Sequence, residues 1–447
     1  MKRLVLLLSL LAAPAAAQQV SMPHTTFTLP NGLRVIVAED HSAPLAAVNV
    51  WYHVGSGYER PGRTGFAHLF EHIMFEGSKN VPEGDFDNWL EAAGARNNGS
   101  TTTDRTNYYE VMPSNAVELA LWLETDRMGG LLDAMSPSKL EGQRGVVKNE
   151  RRQSYENQPY GMLWETAYAL LYPQGHPYSW TTIGSMADLD AARLEDVSEF
   201  FRTYYAPNNA SIAIVGDVNP AQVRQWVERY FGWIPRNTEV QRPTDPMPQI
   251  AATTYTVRED RVTLPELTMI WRTDKRFSQD DAALNALAAI LTSGKSSRLY
   301  KRLVYDEQVA ALASAWNDGS LISGDFWLRV RAKPDVDLDR METAVNEEIA
   351  RMAGTPPSQA ELDRVVNGLV TQFVGALETV EGKADQLNDY LYFAGTPDYS
   401  EQDLARYRAL TPADIQRVAQ QYLHGKNHVI ISIVPQGKTE LAAQENQ

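Results

Sequence analysis

Two stretches of this 447-residue chain end in the same way, and that repetition limits what it can fold into. Leu194 to Tyr204 has helical periodicity, turns at Ala206-Pro207-Asn208-Asn209, and runs into the strand pattern Ala210 to Val215. Asp414 to Tyr422 repeats the helix, Gly425-Lys426-Asn427 the turn, and His428 to Val434 the strand. A chain of this length exceeds one ordinary core, so two similar halves of about 200 residues are the simplest division. Between them Pro235, Pro243, Pro246 and Pro248 mark a linker. The expected boundaries are 25–235 for the first half, 236–250 for the linker, 251–437 for the second half and 438–447 for a tail.

The halves are not chemically equivalent. No histidine occurs between His176 and His424, whereas His68 and His72 lie four apart with Glu71 between them. On a helix, residues four apart stand one turn above each other, so the two imidazoles can share one metal ion with Glu71 at the rim. A zinc ion held by two imidazoles and a third protein ligand keeps a position for water, whose proton an adjacent carboxylate can take. The order His-x-x-Glu-His is the signature of inverted zincins. The bland alternative is an amphipathic helix with incidental histidines. With only eight histidines in the chain, that spacing around a glutamate is improbable by composition.

The chain has no cysteine, which excludes disulfides, a thiol nucleophile and thiolate metal ligands, and leaves histidine and carboxylate as the main metal-binding side chains. Its formal net charge is −15, so nucleic acid, whose binding relies on Lys and Arg neutralising phosphates, is excluded as a partner. Met1-Lys2-Arg3, the apolar run Leu4 to Leu11 and Ala15-Ala16-Ala17 read as a cleavable secretory signal peptide covering 1–17. No later apolar run has membrane-spanning length, so no integral membrane segment is expected in the mature chain.

Local patterns fill in the first half. Phe27 to Val37 reads as two short strands around Pro30-Asn31-Gly32, and Ala46 to Val54 as a half-buried strand. Phe86 to Ala93 and Ala116 to Met128 are helical, and Ser136-Pro137 starts a helix expected to reach Arg152, with Glu150 near its end. Asn97 to Thr103 reads as an edge strand near the metal. Pro220 to Phe231 is a further helix. In the second half, Thr263 to Thr273 is a strand pattern and Gln279 to Thr292 a helix.

The runs GSGYERPGRTGFAHLFEHIMFEG, NNGSTTTDRTNYYE, VVKNERRQSYENQPYG and LTSGKSSRLYKRLVYDEQ resemble the M16 metallopeptidases (pitrilysin, insulinase, mitochondrial processing peptidase), above all the short bacterial members. The resemblance covers about residues 25 to 437. It implies an α+β fold of two homologous LuxS/metallohydrolase-like domains, each a mostly antiparallel sheet packed with helices. The two face one another as a clamshell, and chains pair to close a chamber. It also implies a zinc endopeptidase with one Zn2+ per chain, ligated by His68, His72 and Glu150, with Glu71 as general base. Glu156, Glu141 and Glu76 are weaker candidates for the third ligand. Asn98, Gly99, Ser100 and Thr101 match the strand that receives peptide substrates, where main-chain hydrogen bonds would form irrespective of sequence.

Two departures from the family pattern stand out. Where relatives carry a second acidic residue supporting the zinc site from outside the ligands, this chain has Gln143, which can donate a hydrogen bond but adds no charge. Where many relatives carry an arginine and a tyrosine that contact substrate and the developing oxyanion, it has Val304 and Ala311. Nearby Arg302 and Tyr305 point in other directions on a helix. The expectation is a periplasmic peptidase that is the metal-bearing subunit of a heterodimer, its homologous partner lacking His-x-x-Glu-His and supplying the arginine and tyrosine; the alternative assembly is a homodimer. A non-catalytic scaffold or chaperone-like subunit is the competing function, distinguished by lost ligands, and none is lost. A mononuclear iron oxygenase also uses two histidines and a carboxylate, but gives Glu71 no role.

Overall fold

The computed structural model describes residues 21–245 and 247–445; the signal peptide expected at 1–17 lies outside them. Two mixed sheets organise the chain. The first contains β1 (Thr25–Thr28), β2 (Arg34–Glu39), β3 (Leu45–Tyr52), β4 (Arg96–Thr101), β5 (Thr106–Pro113) and β6 (Ala210–Gly216) in the order β1-β2-β6-β3-β5-β4. The second contains β7 (Thr254–Asp260), β8 (Glu266–Thr273), β9 (Ala310–Gly319), β10 (Gly324–Ala332) and β11 (Val429–Pro435) in the order β7-β11-β8-β10-β9. Each sheet is antiparallel except for one pair, β2 with β6 and β7 with β11. This matches the expected pair of α+β domains, and the repeated endings are the equivalent central strands β6 and β11.

Strand β3 departs from its half-buried expectation: every residue after Leu45 is buried. The cause is a second layer. Val35, Val37, Val48, Val50, Ile212 and Ile214 face the first domain's own helices, while Ile36, Ala38, Ala47, Ala213 and Val215 face the other way. That second face is covered by the helix Val380–Asp389 and the turn after it, through Ala384, Leu387, Tyr390 and Leu391. Asn388 donates to the Asn49 carbonyl at 2.9 Å, and Asp385 accepts from Trp51 Nε1 at 3.2 Å. The cover therefore comes from the second half of the chain.

The arrangement is reciprocal. The helix Leu163–Leu171 of the first half lies on the second sheet, where Leu163, Ala167 and Leu171 meet Ile270, Trp327, Val429, Ile431 and Ile433. Arg272 donates to the Leu171 carbonyl at 2.6 Å, and the Tyr172 hydroxyl donates to Asp325 at 2.9 Å. The described residues of 236–250, the stretch expected to be a linker, form no helix or strand. Ala442 and Ala443 of the expected tail return to the second core, where Ala443 N–H donates to Ser432.

The helix expected over Ala116 to Met128 runs from Val117 to Ala134, straight through Gly129-Gly130. Helical glycine costs about 1 kcal/mol relative to alanine, but here contact requires it. A Cβ at Gly129 would stand 2.4 Å from the Trp233 ring, and one at Gly130 2.7 Å from Lys79 Cβ. The strand expected from Thr263 begins at Glu266.

Asp104 joins the halves directly, accepting from the Tyr178 hydroxyl at 2.5 Å and from the Leu321 amide at 2.9 Å. Burial pushes its carboxyl from an ordinary 3.8 up to about 6, against these two hydrogen bonds. The folded chain thus holds this proton more tightly than the unfolded one. Its contribution to stability is fully present below 3.8 and is lost as pH rises through about 6. Asp104→Asn, which keeps one acceptor and cannot titrate, should gain about 1–3 kcal/mol on wild type across that window. Parallel melts should show the gap opening with pH; identical slopes for the two proteins would refute the assignment.

Candidate metal centre

The helix Phe66–Ile73 carries His68, Glu71 and His72, and the helix Pro137–Arg151 carries Glu150 in its last turn. The first is strongly amphipathic: Phe66, Ala67, Leu69, Phe70 and Ile73 are buried in the first core, which leaves the histidines on the opposite rim. Its start is fixed by the half-buried Glu59, whose carboxylate accepts from Gly65 and Ala67 N–H at 3.0 and 2.7 Å, satisfying donors that a helix N-terminus leaves free. The second helix opens as expected, with Ser136 Oγ capping Lys139 N–H and Pro137 in its first turn. It ends in a π-helical turn, Arg152–Glu156.

These elements bring His68, His72 and Glu150 together, with one ligand atom from each lying within 4.8 Å of the others; no other such trio of metal-binding side chains occurs among the described residues. Glu150 Oε2 is 3.5 Å from His68 Nε2 and 3.4 Å from His72 Nε2. Those spacings are long for hydrogen bonds. They match the edge of a tetrahedron around a metal, about 3.3–3.4 Å for zinc ligands near 2.0–2.1 Å. The donor set, two imidazoles and one carboxylate, is also a zinc set. Burial takes the His68 imidazole down to about 4, so at neutral pH it is in the unprotonated form that binds metals. Glu150 is held below the usual carboxylate range by the His72 imidazole beside it.

Glu71 does not join the trio. Its carboxylate accepts a 2.6 Å hydrogen bond from Thr101 Oγ1, at the end of β4. Burial pushes it above the ordinary carboxylate range, with the Thr101 hydroxyl opposing the shift. Gly99, also on β4, leaves the room this needs: a Cβ there would lie 3.1 Å from Glu71 Cγ. Strand β4 is the edge of its sheet, bonded only to β5. Of the other expected strand residues, Asn98 accepts from Gly99 N–H, and Ser100 Oγ donates to Asn107 at 2.6 Å. Beyond Thr101 the chain enters a polar cavity of about 440 Å³ between the halves, lined by Thr102, Arg105, Tyr168, Arg276, Asp318 and Asp385.

Gln143 does not touch a ligand. It donates to Glu76, whose backbone carbonyl also accepts from Lys139 Nζ at 2.6 Å. Glu156 and Glu141 are engaged by arginines, Arg151 at 3.3 Å and Arg144 respectively, and neither joins the trio. Glu59, Arg151, Gly184 and Asp188 hold the two helices. The only sequence signal was glycine at 65 and 184, both at positive φ in the structure.

Two family profiles match the chain: insulinase (peptidase family M16) over residues 34–174, and the peptidase M16 inactive domain over 191–369. A Helicobacter pylori protein named zinc protease PqqE is 31% identical over 436 residues, covering 96% of this chain and 97% of that one. A probable mitochondrial-processing peptidase subunit beta from Arabidopsis thaliana is 26% identical, covering 93% of this chain and 79% of its own length. The crystal structure of a protease from Helicobacter pylori superposes with a TM-score of 0.87 at 29% identity, over 92% of this chain and 99% of the other. The likeness to the PqqE protein runs through both halves and the linker, so the chain belongs to peptidase family M16, whose named relatives include zinc proteases.

Proposed function

We propose that this chain is a periplasmic zinc endopeptidase that hydrolyses extended peptide segments, and that it is the metal-bearing member of a heterodimer. The observation that carries the reading is the position of Glu71, beside the ligand trio and bonded to the open edge strand through Thr101. Zinc held by His68, His72 and Glu150 would polarise the scissile carbonyl and lower the pKa of a water. Glu71 takes that water's proton during attack and returns it to the departing amine. Its raised pKa suits both roles, since one group must accept and then donate near the working pH. A peptide along β4 bonds through its main chain to Asn98, Gly99, Ser100 and Thr101, which tolerates many sequences. Gln143 supports the centre at one remove, by holding Glu76 one turn past His72.

The partner supplies what the second half lacks. Acyl-transfer chemistry needs donors aimed at the oxyanion. Val304 and Ala311 have none to give, and Arg302 is committed to Glu307 and Glu347 at 2.8 and 2.7 Å. Tyr305 stands 70% exposed, away from the core. A homologous subunit without His-x-x-Glu-His provides the arginine and tyrosine. Export rests on the leader pattern at 1–17, and no helix of the described residues is long and apolar enough to cross a membrane.

Three outcomes are expected. Glu71→Gln should keep its zinc and lose on the order of 10²–10⁴ in turnover of a quenched peptide, the usual cost of removing one general base; undiminished turnover would remove Glu71 from the mechanism. His68→Ala and Glu150→Gln should both lower zinc content after dialysis, whereas Glu156→Gln should not; the reverse pattern for the two glutamates would reassign the third ligand. The chain purified alone should bind zinc and cleave poorly, with activity restored by its co-purifying homologue. Full activity of the isolated chain would rule out the heterodimer.

A further inference from the structure

The carboxylate of Glu150 has its polar contacts with the two imidazoles, so the position it offers a metal is set by its backbone. The neighbouring residue anchors that backbone. Arg151 is buried, donates to the Gly184 carbonyl at 2.7 Å and to Glu165 Oε2 at 2.6 Å, and lies 3.3 Å from Glu156. Gly184 in turn rests on the first residues of the other ligand-bearing helix. It has φ +69°, and a Cβ there would stand 2.3 Å from Gly65 N and 2.4 Å from the Thr64 carbonyl carbon. Gly65, at φ +85°, is the residue that opens the helix of His68 and His72. Thr64 Oγ1 accepts from Ser185 N–H at 3.1 Å and donates to Asp188 at 2.6 Å, and Thr64 N–H donates to the same carboxylate at 2.9 Å.

We propose that the strap from Ile183 to Asp188 is a clasp that fixes the separation of the two ligand-bearing helices, and that Arg151 is the positioning residue through which it acts on Glu150. The inference rests on His68, His72 and Glu150 being the zinc ligands. The helices have no covalent tie shorter than the chain between 73 and 137, and Glu150 lies at the end of its helix, where a π turn loosens the ladder. The path from Glu150 through Arg151 and Gly184 to Gly65 is short and buried. Its glycines allow backbone to touch backbone, so no flexible side chain intervenes between strap and helix. Supports outside the ligands typically change metal affinity 10–100-fold when removed.

The test compares Arg151→Met, Arg151→Lys and Thr64→Val with wild type, with His68→Ala as control. Readouts are zinc affinity by competition with a chelating dye, the visible absorption of the cobalt-substituted protein, and the melting temperature of the metal-free protein. Arg151→Met is expected to bind zinc about tenfold or more weakly and to shift the cobalt bands. Arg151→Lys, which can still donate to the Gly184 carbonyl, should recover part of both. Thr64→Val cuts the strap at its other end and should weaken zinc binding in the same direction, which keeps the test open if Arg151→Met does not fold. Wild-type affinity and cobalt bands in Arg151→Met and Thr64→Val, with zinc lost in His68→Ala, would overturn the clasp while leaving the ligands standing. Zinc retained in His68→Ala would overturn both.

Discussion

Everything in this molecule depends on an exchange of covers. Each sheet buries one face against helices of its own half and the other against a helix from the opposite half: Val380–Asp389 on the first, Leu163–Leu171 on the second. Fully burying one aliphatic side chain is worth about 1.5–3 kcal/mol. The several buried on each exchanged helix outweigh what the polar linker 236–250 could hold. The domains are therefore joined by packing, and polar contacts such as Asn388 with Asn49 and Arg272 with Leu171 fix the register.

The candidate metal centre is built outward from that frame. Apolar burial of one helix face turns His68 and His72 to the rim, Glu59 secures the helix start, and the strap at 183–188 ties it to the helix bearing Glu150. Glu71 is drawn instead to the edge strand by Thr101 and is accommodated by the missing side chain of Gly99. A single rim thus divides four ionisable residues into three that converge on one point and one that faces the strand.

Much of this was legible in the sequence wherever the determinant was local. The helix that carries His68 and His72, the cap and proline at Ser136-Pro137, and the β-branched runs of β6 and β11 were each read correctly, because spacing, capping residues and β-branching act locally. What escaped was long-range. Nothing near β3 announces that residues more than 300 positions later will bury its second face, so alternation was read as one-sided burial. The helix was read only as far as Met128, because the contacts that require Gly129 and Gly130 come from Trp233 and Lys79, far away in sequence. The links from Arg151 to Gly184 and Glu165 were illegible for a similar reason, since these partners are recognisable only once the helices have crossed. The choice of Glu150 as a candidate third ligand came from the family resemblance; many glutamates had equal local standing.

The exchange also sets an order of events during synthesis. The strands of the first sheet are complete at Gly216, but the helix that seals its second face begins at Val380. Roughly 160 residues must still emerge, which at about 5–20 residues per second is on the order of ten seconds or more. Through that interval Ile36, Ala38, Ala47 and Val215 form an uncovered apolar surface on a nascent chain. A protein built this way cannot bury the second face of its first sheet until the segment from Val380 onward has been made.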